Sequence, residues 1–192
     1  MDRKRLAILG FLFVFLVVLV FIFFKTGVRE KIKPSPLVPT PESMELPAKP
    51  GAKIEVVLFF LSEKDTYLHS EKREIDADVS VVRQAKLAVE ELLKGSQLGY
   101  ISPFPPQTKL IELHVTRGGV AYVDFSKDIV EKHLSGSSAE ISTIYSVVNS
   151  LAYNFDSIKR VFILIEGREK ETLGGHISLS KPFLPLYDLI AK

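Results

Sequence analysis

The chain has 192 residues, a formal net charge of +2 and no cysteine, so disulfides, thiolate nucleophiles, zinc–thiolate sites and a lipidated N-terminal Cys are all excluded. Residues 1–52 hold 8 of the 25 Lys+Arg and 4 of the 23 Asp+Glu, leaving 17 and 19 for residues 53–192. The part long enough to bury a core is therefore nearly neutral, which argues against a nucleic-acid partner, whose phosphates demand clustered basic residues.

Leu6 to Phe24 is a run of 19 residues without a charged or hydrogen-bonding side chain, 17 of them Leu, Ile, Val or Phe. As a helix it would span roughly 28 Å, close to the ~30 Å of a bilayer's hydrocarbon core. At about −0.4 kcal/mol per large apolar residue, insertion is favoured by several kcal/mol. A cleavable signal peptide would be shorter and would end in small residues. Here the run ends Phe23-Phe24-Lys25, which favours a retained anchor. Arg3, Lys4 and Arg5 precede it, while Lys25, Arg29, Lys31 and Lys33 follow it, so charge alone does not orient it. A short tail before a large C-terminal domain fits a signal anchor, giving a single-pass cell-membrane protein with an extracytoplasmic domain. Residues 1–25 are thus expected to be tail and transmembrane anchor, and 26–52 a Pro-rich linker. Pro34, Pro36, Pro39, Pro41, Pro47 and Pro50 make that linker a semi-stiff spacer.

Residues 53–192 read as one α+β domain. Ile54 to Leu61 is apolar on both faces, as in a central strand. Leu68 to Ile75 is polar and suits an edge strand. Val82, Ala85, Val89 and Leu92 recur at helical spacing, with Asp78 or Ser80 as cap and Gly95 as stop, predicting a helix over about 79–94. After a loop holding Pro103, Pro105 and Pro106 comes a hairpin. A three-residue loop, Arg117-Gly118-Gly119, sets Ile111, Leu113 and Val115 against Ala121, Val123 and Phe125. A two-residue loop would place Asp124 opposite Leu113 instead, so the apolar pattern selects the longer loop. Ser126 can cap a short helix to about Leu134. Ser137-x-x-Glu140 has the form of a capping box ahead of the stripe Ile141, Ile144, Tyr145, Val148, Leu151, Ala152 and Phe155. Ile158 to Ile165 is a further apolar strand, followed by extended pieces at Lys170–Leu173 and Ile177–Leu179. The expected domain has two layers, a mixed or antiparallel sheet with two main helices on one face.

Two constellations could carry chemistry. The hairpin register sets Glu112 opposite Asp124 and His114 opposite Tyr122, an acid–base couple or cation site if functional and a solvated sheet face if not. Gly174-Gly175-His176 could bring backbone close to a ligand, or could be a tight turn before a short strand. No helix start follows it at phosphate-loop spacing, the four histidines show no i, i+4 pairing, and neither HExxH nor GxSxG occurs. These residues ask for no enzyme, cofactor or metal.

VAYVDFS (120–126), IYSVVNSLAYNF (144–155), KRVFILIEG (159–167) and ETLGGHISLS (171–180) together resemble the GerMN domain of GerM-type sporulation and germination proteins. The resemblance covers most of 54–183. It implies an extracytoplasmic α+β domain similar to ring-building motifs, with a non-catalytic role in protein–protein assembly at the cell envelope. Its partners would be envelope proteins, with a homo-oligomer among the options. GerM carries two such domains and a lipid-modified cysteine, whereas this chain has one domain and an apolar helix. The alternative is a module binding cell-wall glycan or peptide through Glu112, His114, Tyr122 and Asp124; a wall hydrolase is the third reading.

Overall fold

The computed structural model describes residues 51–78, 80–134 and 136–192. The expected anchor and nearly all of the Pro-rich linker lie outside them. Among the described residues, no helix is long and apolar enough to cross a membrane.

Strands β1 (Lys53–Leu61) and β2 (Leu68–Asp76) form an antiparallel pair in unbroken register from Lys53↔Asp76 to Leu61↔Leu68. Helix α1 (Val81–Leu93) follows. Asp78 Oδ1 accepts the Ser80 N–H at 2.9 Å, Ser80 Oγ accepts from Arg83, and Gly95 ends the helix at φ 85°. Strands β3 (Leu110–Val115) and β4 (Val120–Phe125) form the hairpin. The short helix α2 (Asp128–Glu131) and the long α3 (Ser137–Asn154) then lead to β5 (Arg160–Ile165), parallel to β4. A 3-10 turn at Tyr187–Leu189 closes the order.

The hairpin takes the longer loop. Gly119 donates to Thr116 O at 3.0 Å with φ 75°, and Glu112↔Asp124, Leu113↔Val123 and His114↔Tyr122 are opposed. One expected pair differs, because Phe125 faces Leu110 and Ile111 bulges out, 47% exposed. The bulge matters, since an edge strand so interrupted pairs poorly with another chain.

One core joins β1, both long helices and the inner face of β3-β4-β5. It holds Val56, Leu58 and Phe60, Ala85, Val89 and Leu92, Leu113 and Val123, Ile144 and Leu151, and Val161 and Ile163. The expected single sheet is two sheets, of strand order β1-β2 and β3-β4-β5. The reason lies beside β1. Ser146 Oγ donates to Phe59 O at 2.6 Å, and Ser150 Oγ accepts the Phe59 N–H at 3.1 Å. Asn154 takes the Val57 N–H at 2.8 Å and donates to Val57 O at 2.7 Å. Three polar residues, one helical turn apart, thus satisfy the backbone edge that a neighbouring strand would otherwise take. Leu61 exchanges both backbone bonds with Ile101 at the end of the same edge. So β1, apolar on both faces, is bordered by β2 on one side and a helix on the other.

Other expectations are also corrected. Ser126 caps no helix with its hydroxyl, which lies 3.2 Å from Asp128 Oδ2 and accepts from the Lys109 amide. The N-cap of α3 is Gly136, and Glu140 takes no part in a capping box. Neither 170–173 nor 177–179 is a strand. β2 alternates after all, with Glu71 and Arg73 turned inward at 3% and 6% exposure.

Candidate functional site

The hairpin brings Glu112 and Asp124 opposite each other, yet their side chains are drawn apart. Glu112 reaches Lys86 of α1 and accepts the Leu113 N–H at 2.9 Å. The Lys86 ammonium first, and that amide second, hold its carboxyl below the ordinary range. Asp124 is buried, and its Oδ1 accepts the Gly167 N–H at 2.9 Å, fixing the turn after β5. His114 is exposed, and the Tyr122 ring rests against Phe162 with centroids 5.4 Å apart. Among the described residues, no group of three His, Asp or Glu converges to hold a metal ion.

Gly174 and His176 do meet at a side chain, that of Glu140, while the Gly175 N–H donates to Thr172 Oγ1 at 3.0 Å. Glu140 is 0% exposed. Its Oε1 accepts the His176 N–H at 2.9 Å and lies 2.7 Å from His176 Nδ1, and its Oε2 accepts the Ile177 N–H at 3.1 Å. Burial pushes the carboxyl up, but the Ile177 amide, the His176 ring and further loop amides outweigh it and hold it below its ordinary value. A Cβ at Gly174 would stand 3.1 Å from Glu140 Oε1, so glycine lets the loop close on the carboxylate. Gly175 has φ 101°, a conformation that glycine adopts without strain.

A second buried glutamate, missed in the sequence, does the same for another loop. Glu71 accepts from Ser96 Oγ at 2.5 Å and from the Gln97 and Leu98 amides at 3.0 and 3.3 Å. Arg73 donates to Glu71 at 2.5 Å and to Gly95 O at 2.7 Å. Burial raises the Glu71 carboxyl, and the Ser96 hydroxyl, the amides and Arg73 together lower it further, below the usual range. The only sequence signal was a Glu and an Arg two residues apart in a strand, which put both on one face.

Grooves open on the surface of the described residues. One, of about 390 Å³, lies between the β1–β2 loop and the start of α3, lined by Leu61, Thr66, Ser138, Ile141, Ser142 and Leu189. Asp65 stands at it, within 3.0 Å of His69 Nε2, an acid–imidazole pair not singled out from the sequence. Another, of about 290 Å³, lies between the Pro103–Pro106 loop and Leu134. Ser178-Leu179-Ser180-Lys181 spells Ser-x-x-Lys, but it lies in a loop with Ser178 Oγ 2.9 Å from Ser180 Oγ. It lacks the helix that would aim such a lysine at the serine. Among the described residues, every buried side-chain nitrogen and oxygen has a hydrogen-bond partner, so the buried polar groups are engaged in architecture.

The family model described as Germane, sporulation and spore germination, matches residues 57–171. The match ends before Gly174-Gly175-His176. Among solved structures, the chain is similar to a candidate lipoprotein from Clostridium perfringens, at 25% identity and a TM-score of 0.50, over 69% of this chain and 88% of that one. It is similar to the first GerMN domain of the sporulation protein GerM from Bacillus subtilis, at 20% identity and a TM-score of 0.53, over 72% and 98%. The tandem GerMN domains of that protein align at 21% identity and a TM-score of 0.57, over 69% of this chain and 46% of the pair. The two GerM likenesses establish the fold. No curated protein matches the chain. With well over half its length matched, this chain belongs to the Germane family of sporulation and spore germination domains.

Proposed function

We propose that the chain is a membrane-anchored, extracytoplasmic interaction domain that docks on another protein in a cell-envelope assembly. The observation that carries the reading is how the polar groups of the interior are used. Glu71 and Glu140 each collect backbone amides of a loop, Asp124 accepts one, and Ser146, Ser150 and Asn154 hold a strand edge. Several large apolar side chains face solvent, among them Leu184 at 64%, Tyr153 at 56% and Tyr187 at 47% exposure. Exposed aromatic and aliphatic side chains of this kind suit a protein partner.

The apolar run Leu6–Phe24 and the proline-rich stretch after it supply the anchor and spacer in this reading. The similarity to a candidate lipoprotein is in keeping with a domain held at a membrane. Recognition of wall glycan through the hairpin would have to rely on His114 and Tyr122, since Glu112 and Asp124 have other partners.

Cross-linking in native membranes, followed by purification of the full chain, tests the reading. A discrete complex of fixed composition is expected; recovery of the monomer alone at native abundance would overturn it. Protease added outside the permeabilised outer layers of the envelope is expected to remove residues 53–192 while the anchor stays with the membrane fraction.

A further inference from the structure

The closing segment, Pro182 to Lys192, runs as a strap over the domain. At one end Phe183 exchanges both backbone bonds with Val161 on the outer edge of β5, at 3.0 and 2.8 Å. In the middle, Asn149 of α3 donates to Leu186 O at 3.0 Å and accepts the Leu186 N–H at 2.9 Å. At the far end the Ala191 N–H donates to Leu68 O at 2.9 Å on β2. The strap thus links the two sheets across α3.

Its seat is built, and it is held mainly by backbone pairing, with Phe183 packed against the core. Asn149 is 0% exposed, and its amide imitates a strand, reading backbone N–H and C=O without regard to sequence. By contrast, no residue of 181–192 is buried, so no side chain of the strap gains full burial. Pro182 and Pro185 restrict it to extended conformations before it docks, which lowers the entropy lost on docking. The other sheet edges are guarded. Ser146, Ser150 and Asn154 cover β1, the Ile111 bulge and the Glu112 carboxylate interrupt β3, and β2 turns Glu71 and Arg73 inward. The strap is where backbone pairing can be broken and remade at least cost.

We propose that the strap exchanges between two copies of this chain, the 182–192 segment of one seating on Val161, Asn149 and Leu68 of the other. An identical segment reproduces each of these bonds by construction, which is why exchange of like elements costs little. It also brings the exposed Tyr153, Leu184 and Tyr187 of two copies together. The inference rests on the reading of the chain as an interaction domain and names a partner for it.

The absence of cysteine makes a direct test available. Full-length Tyr153→Cys and Tyr187→Cys copies carry one thiol each, at exposed positions whose rings lie 6.4 Å apart. They are reconstituted together in lipid bilayers and treated with a short bis-maleimide. The mixed sample should give cross-linked dimer several-fold above either variant alone, and Asn149→Ala in the Tyr153→Cys copy should abolish the excess. Equal yields in all three samples would overturn the exchange, as would a doubly substituted Tyr153→Cys, Tyr187→Cys chain whose cross-links all form within one copy. A different protein captured from native membranes, with no excess in the mixed sample, would sink the exchange alone and leave the interaction domain standing.

Discussion

Glu140 Oε1 lies 2.7 Å from His176 Nδ1, joining a fully buried carboxylate on α3 to a loop 36 residues further along the chain. The same carboxylate also accepts the His176 and Ile177 amides. The loop 166–181 has no regular structure, and its stretch around His176 and Ile177 is held to the domain body through this side chain. Removing it leaves several donors to find water or remain unpaired. Glu140→Ala is therefore expected to destabilise the domain by roughly 2–4 kcal/mol, and Glu140→Gln, which keeps one acceptor, by about half as much. Urea unfolding of the two variants checks the order; equal stability of Glu140→Ala and the parent would remove the pin.

The acid side of the stability profile follows from two carboxyls. Glu140 and Glu71 both lie below their ordinary value of 4.5 in the folded chain. A depressed carboxyl contributes stability that is fully present above the unfolded value and is lost as pH falls through the folded one. Urea midpoints should thus hold steady from pH 7 to about 5 and fall below pH ~4.5, with a shallower fall in Glu140→Gln and in Glu71→Gln. A profile unchanged by either substitution would contradict the assignment.

Gly174 and Gly175 should fail for different reasons. A Cβ at 174 meets Glu140 Oε1 at 3.1 Å, whereas at 175 there is open space but a φ of 101°. Each alanine substitution is expected to cost about 1–2 kcal/mol. Combined with Glu140→Ala, the cost at 174 should largely vanish and the cost at 175 should persist. A double-mutant cycle reads the difference. Equal coupling at both positions would refute the distinction.

The helix that stands in for a strand makes its own prediction. Asn154→Ala strips Val57 of partners for both its N–H and its C=O, and Ser150→Ala leaves the buried Phe59 N–H unpaired. Losses of about 2 and about 1 kcal/mol are expected. Amide exchange should accelerate at Val57 in the first variant and at Phe59 in the second, with little change along β5. Uniform acceleration across the domain would mean that the ladder has no local role.

The inward ion pair on β2 should behave asymmetrically. Arg73→Met leaves Glu71 buried without its cation and is expected to cost roughly 3 kcal/mol or more. Glu71→Leu with Arg73→Met should recover part of that loss, limited by the Ser96, Gln97 and Leu98 groups that Glu71 also serves. Thermal denaturation of the single and double variants decides it; a double variant less stable than Arg73→Met would count against the pair as described.

What the amino-acid order determined by itself is what short-range periodicity encodes. Val82, Ala85, Val89 and Leu92 define one helix, and alternation around Arg117-Gly118-Gly119 places Glu112 opposite Asp124. These features come from residues within a few turns or one hairpin of each other, where the 3.6- and 2-residue repeats dictate which side chains share a face. The tertiary structure alone decided where each polar side chain points. Glu140 looked like a capping residue because Ser137 stands three places before it, yet it binds residues 176 and 177. Ser146, Ser150 and Asn154 fall outside the apolar stripe of their helix, yet they hold a strand 87 to 97 residues away. A hydrogen bond across such a separation leaves no local pattern, because its partner is chosen only when the core brings helix and strand together.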